Sequence, residues 1–283
     1  MLSSLKRNIP ESVRTKIRPL LEKIRQVCFV RATVVKINDN GNIFKIHIDP
    51  KNGAVDRYIF WHKIWEPQIG EVIQKELPSG GVFVDVGANI GYFSMLAATI
   101  VGPEGSVYSF EPIPRLCSQL KKSAAVNNFT TIHCIEKGCG AKHEEMTLHV
   151  SHSNIGGSSV VKKFSADETC EISVTTLDSE CVGMKQIDVI KIDVEGFEYE
   201  VLLGAEKIIT QHSPKFIIEL SPSTYEHRDS ELSRKILTLL DSYYYNIFDI
   251  DNQEFVTDID SFLDKLGKRQ TNLFCTISNE KVG

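Results

Sequence analysis

The stretch Phe83-Val84-Asp85-Val86-Gly87-Ala88-Asn89-Ile90-Gly91-Tyr92-Phe93-Ser94 constrains this chain more than any other. A short apolar run ends in a glycine turn and passes directly into a helical pattern over 90–101. A buried strand must therefore hand over to a helix with almost no loop between them. Gly87 and Gly91 permit the tight turn and let a ligand approach the backbone closely. The amides at the helix start are then expected to be open to that ligand. The nicotinamide fingerprint G-x-G-x-x-G does not fit, because Asn89 takes the middle glycine position and Tyr92 the last.

The rest of the chain repeats the same rhythm. Apolar runs at 82–86, 106–110, 131–136, 189–193 and 216–220 alternate with helical patterns, and runs at 244–248 and 272–277 close the chain with no long helix between them. Strands alternating with helices predict a doubly wound, mostly parallel sheet covered on both faces. Seven strands are expected, the last antiparallel, in an α/β domain spanning 78–283. Runs at 146–150 and 172–177 add two further strands around a Gly/Ser-rich loop, 151–159. Residues 1–77 form an appendage. It comprises an amphipathic helix over 11–27 containing Pro19, a hairpin of 32–37 and 43–48 turned at Asn40-Gly41, and helix and loop over 57–76.

Composition narrows the class. Of 283 residues, 42% are hydrophobic and 24% charged, which excludes a disordered or collagen-like chain. Seven cysteines, odd in number and without CxxC spacing, argue against a disulfide framework or a zinc site and for a reducing, cytoplasmic setting. No apolar stretch is long enough to cross a membrane, and the N-terminus does not read as a secretory signal. Residues 1–36 carry a net charge of +7 and the remainder −12. The acidic body disfavours a nucleic-acid partner. The basic helix suits contact with an anionic membrane surface, although a solvated helix face accounts for the same pattern.

Acidic residues stand at three strand ends, where open α/β sheets bind their ligands. Asp85, two residues before Gly87, is typical of S-adenosylmethionine loops, where it orders the turn and binds, directly or through water, the amino end of the methionine moiety. Glu111 follows the second strand and can accept two hydrogen bonds from a ribose diol. Asp193 and Glu195, in Lys191-Ile192-Asp193-Val194-Glu195-Gly196-Phe197-Glu198, can face a sulfonium or take a proton from an acceptor. The same pair is a weak Mg²⁺ signal without a third oxygen ligand. Glu198 reads as an acid favoured at a helix N-terminus.

Taken together and in this order, several elements resemble the FkbM-type S-adenosylmethionine-dependent methyltransferases. They are Asp85 to Ser94, Phe110-Glu111-Pro112, Val174-Thr-Thr-Leu-Asp178, Ile190 to Glu198 with Val201 to Ala205, and Ile218-Glu219. The likeness runs from about Trp65-Glu66-Pro67 to Pro222. It implies a class I methyltransferase (Rossmann-like) fold and methylation of a hydroxyl on a sugar, glycan or natural-product scaffold. Carried over, Asp85, Gly87, Asn89, Gly91 and Glu111 would hold S-adenosyl-L-methionine, and Asp193 and Glu195 would face the transferred methyl. The third strand, ending at Cys139-Gly140, lacks an adjacent acid for the adenine amine.

The loop 151–159 suits a polyhydroxylated acceptor, with His152 as a base if it folds over the site. Trp61, Trp65 and Glu66 suit a lid or stacking platform, and core packing accounts equally for the aromatics. O-methylation leads. N-methylation of an amine, protein or RNA, a nicotinamide oxidoreductase and an inactive nucleoside-binding module stand as alternatives.

Overall fold

The computed structural model describes residues 32–49, 53–150, 168–225 and 231–277. The expected N-terminal helix over 11–27 and the loop 151–159, with His152, lie outside the described residues.

The first described element is a hairpin of β1 (Thr33–Asp39) and β2 (Asn42–Ile48). Alternation along both strands turns Val35, Ile37, Phe44, Ile46 and Ile48 inward. The helices α1 (Ala54–His62) and α2 (Pro67–Glu76) follow. The central sheet then begins with β3 (Val82–Val86), α3 (Tyr92–Val101), β4 (Ser106–Phe110), α4 (Pro114–Asn127) and β5 (Ile132–Ile135). The hairpin docks on α3 and α4 through one continuous apolar core that includes Leu96 and Leu120. Its open edge is not left bare. Asn127 Oδ1 accepts from Lys45 N at 2.7 Å, Ser123 Oγ from His47 N at 2.9 Å, and Gln119 Nε2 donates to His47 O at 2.7 Å. Helix side chains thus satisfy edge groups that would otherwise recruit another strand.

After β5 the chain builds a separate three-stranded sheet from β6 (Gly138–Cys139), β7 (Glu144–Val150) and β8 (Glu168–Thr175). Here one expectation is corrected. Cys139-Gly140 does not end the third parallel strand, which stops at Ile135; Gly138 and Cys139 pair instead with Val174 and Thr175. The acid after that strand is Glu136, exposed and 3.8 Å from Lys121 Nζ.

The second half supplies a one-turn helix α5 (Leu177–Glu180), β9 (Val189–Ile192), α6 (Glu198–Leu203), α7 (Glu206–His212), β10 (Lys215–Leu220), α8 (Pro222–Tyr225), α9 (Leu232–Ser242), β11 (Tyr245–Asp249), β12 (Glu254–Phe255), α10 (Ile259–Leu266) and β13 (Thr271–Ile277). The helical stretch after β9 is divided into α6 and α7. Asp178, distant in sequence, accepts from Lys207 N and Ile208 N at 3.0 Å each and so starts a new helix there.

The central sheet runs β12-β11-β13-β10-β9-β3-β4-β5. The strands β10, β9, β3, β4 and β5 pair in parallel, and β13 enters antiparallel between β10 and β11. The seven expected strands are all present, and the two-residue β12 extends the edge. Order reverses between β3 and β9, so the carboxyl ends of these strands open a crevice there. Among the described residues, no helix is long and apolar enough to cross a membrane.

Candidate active site

The crevice is built from the turn after β3. Gly87 has φ +80°, and a Cβ there would overlap the carbonyl oxygen of Asp193. The loops after β3 and β9 therefore touch backbone to backbone, held by Asp193 N donating to Val86 O at 3.0 Å. Gly91, at φ +86°, leaves no room for a Cβ, which would come within 2.6 Å of Leu120 Cγ.

The amides of Gly87 to Gly91 are all committed within the protein and are not open to a ligand. Gly87 N and Ala88 N donate to Phe110 O at 3.0 and 2.9 Å, and Gly91 N donates to Ala88 O at 2.8 Å. Asn89 N donates to Glu111 Oε2, and Ile90 N to Asn89 Oδ1, each at 2.8 Å. Asn89, at φ +52°, thus replaces a free anion cradle with a self-satisfied turn.

Glu111 is buried, with Oε1 accepting from Ile113 N at 2.9 Å. Each oxygen has one backbone partner and keeps acceptor capacity for a diol. Burial raises its pKa to about 7, against the pull of the two backbone amides. Asp85 lies deeper and lines neither part of the cleft. Its Oδ2 accepts from Ser94 Oγ at 2.6 Å, and Ser94 Oγ in turn accepts from Ser109 Oγ at 2.8 Å. Oδ1 has no hydrogen-bond partner; Lys191, its cross-strand neighbour, supplies the compensating charge. Since Asp85 lines neither cavity, a reach from it toward a methionine amine would run through water.

Lys191 Nζ bonds Asp193 Oδ2 at 2.8 Å and lies over the Phe93 ring, 5.3 Å from its centroid. The Asp193 side chain stays 27% exposed, toward the cleft. Glu195 sits in a left-handed turn, φ +53°, on the same wall. Glu198 is fully buried and accepts from Val194 N and Gly196 N at 3.2 and 3.1 Å, so it organises this loop rather than facing a ligand.

Two cavities meet at Gly87, Asn89, Asp193 and Glu195. The first, about 730 Å³, has Glu111 at its rim and apolar walls from Ile113, Leu116, Met146, Leu148, Ile172 and Val174. The small sheet thus closes a slot suited to a flat ring beside a diol acceptor. The second, about 910 Å³, is walled by Trp65, Phe93, Glu66, Lys191, Glu219 and Gln270. Trp65 and Glu66 therefore do reach the site, whereas Trp61 does not line it.

Glu219 and Lys191 were given no role by the sequence reading, although a charge inside an otherwise apolar central strand is itself a signal. Glu219 accepts from Ser221 Oγ at 2.9 Å and Gln270 Nε2 at 2.6 Å. Burial first, then the charges of Asp193 and Glu195, push its pKa far up. Among the described residues, no group of three or more His, Cys, Asp or Glu is arranged to hold a metal ion.

A parallel core with one inserted antiparallel strand, opening at the reversal of order onto an acid-lined cleft, is the class I methyltransferase architecture. The chain belongs to the FkbM methyltransferase family: the Methyltransferase FkbM domain matches residues 85–269. It is 26% identical over 165 residues to Methyltransferase sdnD of Sordaria araneosa, a match covering 46% of this chain and 62% of that one. It is 22% identical over 167 residues to Methyltransferase 1 of Beauveria bassiana, covering 52% of this chain and 67% of that one. The match thus spans under two thirds of the length of the first of these relatives. Among solved structures, the FkbM methyltransferase of Methylobacillus flagellatus superposes over 93% of this chain and 60% of that one, at 16% identity and a TM-score of 0.43.

Proposed function

We propose that the protein is an S-adenosylmethionine-dependent O-methyltransferase acting on a hydroxyl of a sugar, glycan or natural-product scaffold. The observation that carries the cofactor reading is the saturated glycine turn combined with an acid-lined cleft. A dinucleotide would bring a pyrophosphate to a turn whose amides at 87–91 are already bonded and to the carboxylates of Asp193 and Glu195, which repel it. A nucleoside carrying a sulfonium and an ammonium meets favourable charge at the same place. The residues fit that group: Glu111 for the ribose diol, the apolar slot for the adenine, and the turn Gly87, Asn89 and Gly91 for the link between them. Asp85 acts from beneath, fixing the turn through Ser94.

When bound, this cofactor supplies an activated methyl group on sulfur. The protein's part is to orient an acceptor in the second cavity, exclude water and receive a proton. Asp193 and Glu195 stand where both cavities meet, and one of them takes the hydroxyl proton in this reading. Lys191 fixes the Asp193 carboxylate and limits its cost of burial. The carboxylate-rich second cavity also favours a second reading, methylation of an amine-bearing acceptor.

Asp193→Asn is the test. S-adenosylhomocysteine release against a panel of sugars and hydroxylated natural products should fall about 10²–10⁴-fold, while calorimetric affinity for S-adenosylhomocysteine stays within a few fold. Unchanged turnover removes Asp193 from the chemistry.

A further inference from the structure

The methionine end of the cofactor carries an α-ammonium, and Asp85, which lines neither cavity, offers it no direct contact. We propose that Glu66, on the segment ahead of the central sheet, is the anchor for this ammonium. The proposal rests on the cofactor reading above and extends it to a residue outside the matched family domain, which begins at residue 85.

The assignment follows from how the other carboxylates of the second cavity are committed. Asp193 is paired with Lys191. Glu219 already holds Ser221 and Gln270. Glu195 has a partner of its own. The Glu66 side chain alone among these four makes no hydrogen bond or ion pair, its carbonyl oxygen being bonded to Ile69 N and Gly70 N, yet it lines the cavity that Ala88, Asn89 and Ile90 of the glycine turn also line. The chain holds it there at a local conformational cost. Glu66 sits at φ +36°, ψ 68°, immediately before Pro67 opens α2. A left-handed non-glycine residue costs about 1–2 kcal/mol, and such conformers persist where the surrounding structure over-determines them.

The charged groups facing Glu66 are Asp193 and Lys191 at the end of β9, and Asp251 in the turn after β11. Burial, then the charge of Asp193, raises its pKa to about 7, with Lys191 opposing. Lys191, the cation facing it, is already paired with Asp193, so this carboxylate has no ion-pair partner of its own. An ammonium brought in by a ligand would favour its ionised form and receive a charge-assisted hydrogen bond.

The test uses the full chain, calorimetry and two ligands that differ at one end. S-adenosylhomocysteine has the amino-acid end; 5′-methylthioadenosine lacks it. In Glu66→Gln, affinity for S-adenosylhomocysteine should fall about 10–100-fold, the range for loss of a charged hydrogen bond, while 5′-methylthioadenosine binds as in the wild type. Glu66→Asp should recover part of the loss. The ratio of the two wild-type affinities should rise with pH through about 7 and be flat in Glu66→Gln. Equal losses for both ligands would mark structural damage and overturn the assignment, as would unchanged S-adenosylhomocysteine binding. Wild-type protein that binds neither ligand overturns it together with the cofactor reading, a result distinct from the first two.

Discussion

Gly87→Ala is expected to abolish cofactor binding and to destabilise the protein by about 2–5 kcal/mol. Two costs combine at this position. A non-glycine residue in left-handed backbone loses about 1–2 kcal/mol. The added methyl also overlaps the Asp193 carbonyl oxygen, which belongs to backbone and cannot swing aside like a side chain. Relief would require breaking the Asp193 N to Val86 O bond that ties the loops after β3 and β9 together. An overpacking cost of about 1–3 kcal/mol is the usual scale for such a clash. Because the two cavities meet at Gly87 and Asp193, the same displacement opens the junction where the methyl would be transferred. Urea unfolding and titration with S-adenosylhomocysteine read both effects. A Gly87→Ala protein with wild-type midpoint and affinity would show that the close approach of the two loops is not needed.

Glu111→Ala should weaken S-adenosylhomocysteine binding by about 1–3 kcal/mol, the cost of leaving buried polar partners unsatisfied. The side chain bridges Asn89 N and Ile113 N, so its loss loosens the turn as well as removing the diol acceptor. Its pH signature separates the two roles. With the folded pKa raised to about 7 by burial, the carboxyl in the free protein is largely protonated below neutrality. Hydrogen bonds from a diol favour the carboxylate, so wild-type affinity should strengthen as pH rises from 6 to 8 and level off above. For 5′-methylthioadenosine, which has the ribose but not the amino-acid end, Glu111→Gln should flatten that rise.

The contribution of three raised carboxyls to the stability of the free protein runs the opposite way. Glu66 and Glu111, raised to about 7, and Asp56, raised to about 6, bind protons more tightly folded than unfolded. Their contribution is complete below about pH 4.5 and is lost as pH climbs through 6 and 7. Affinity that falls with rising pH would show that Glu111 does not meet the ligand as a carboxylate.

The parallel core was legible because Val82–Val86, Ser106–Phe110, Val189–Ile192 and Lys215–Leu220 are short, apolar-rich runs separated by helical periods. The glycine turn announced the crevice for the same local reason. What escaped depended on contacts distant in sequence. Gly138–Cys139 is too short to show any period, and only pairing with Val174 and Thr175 makes it a strand. The break between α6 and α7 is imposed by Asp178, about thirty residues away in sequence. The amides of the glycine turn read as free because their acceptors, Phe110 O and Glu111, lie on the next strand. Glu66 was legible beside Trp65 as part of a lid or platform, but that its carboxyl shares a cavity with Asp193 and Lys191 depends on tertiary packing. Lys191 and Glu219 were visible as charges within buried strands, but one sequence does not say that they converge on the same cavity.

The central claim is that a turn with no free amide and a cleft lined by carboxylates select an adenosyl sulfonium over a dinucleotide. Calorimetric titration of the full chain with S-adenosylmethionine, S-adenosylhomocysteine and NAD tests it most directly. Saturable binding of both adenosyl ligands with no heat from NAD is the predicted result. Saturable binding of NAD, or of none of the three, would contradict it.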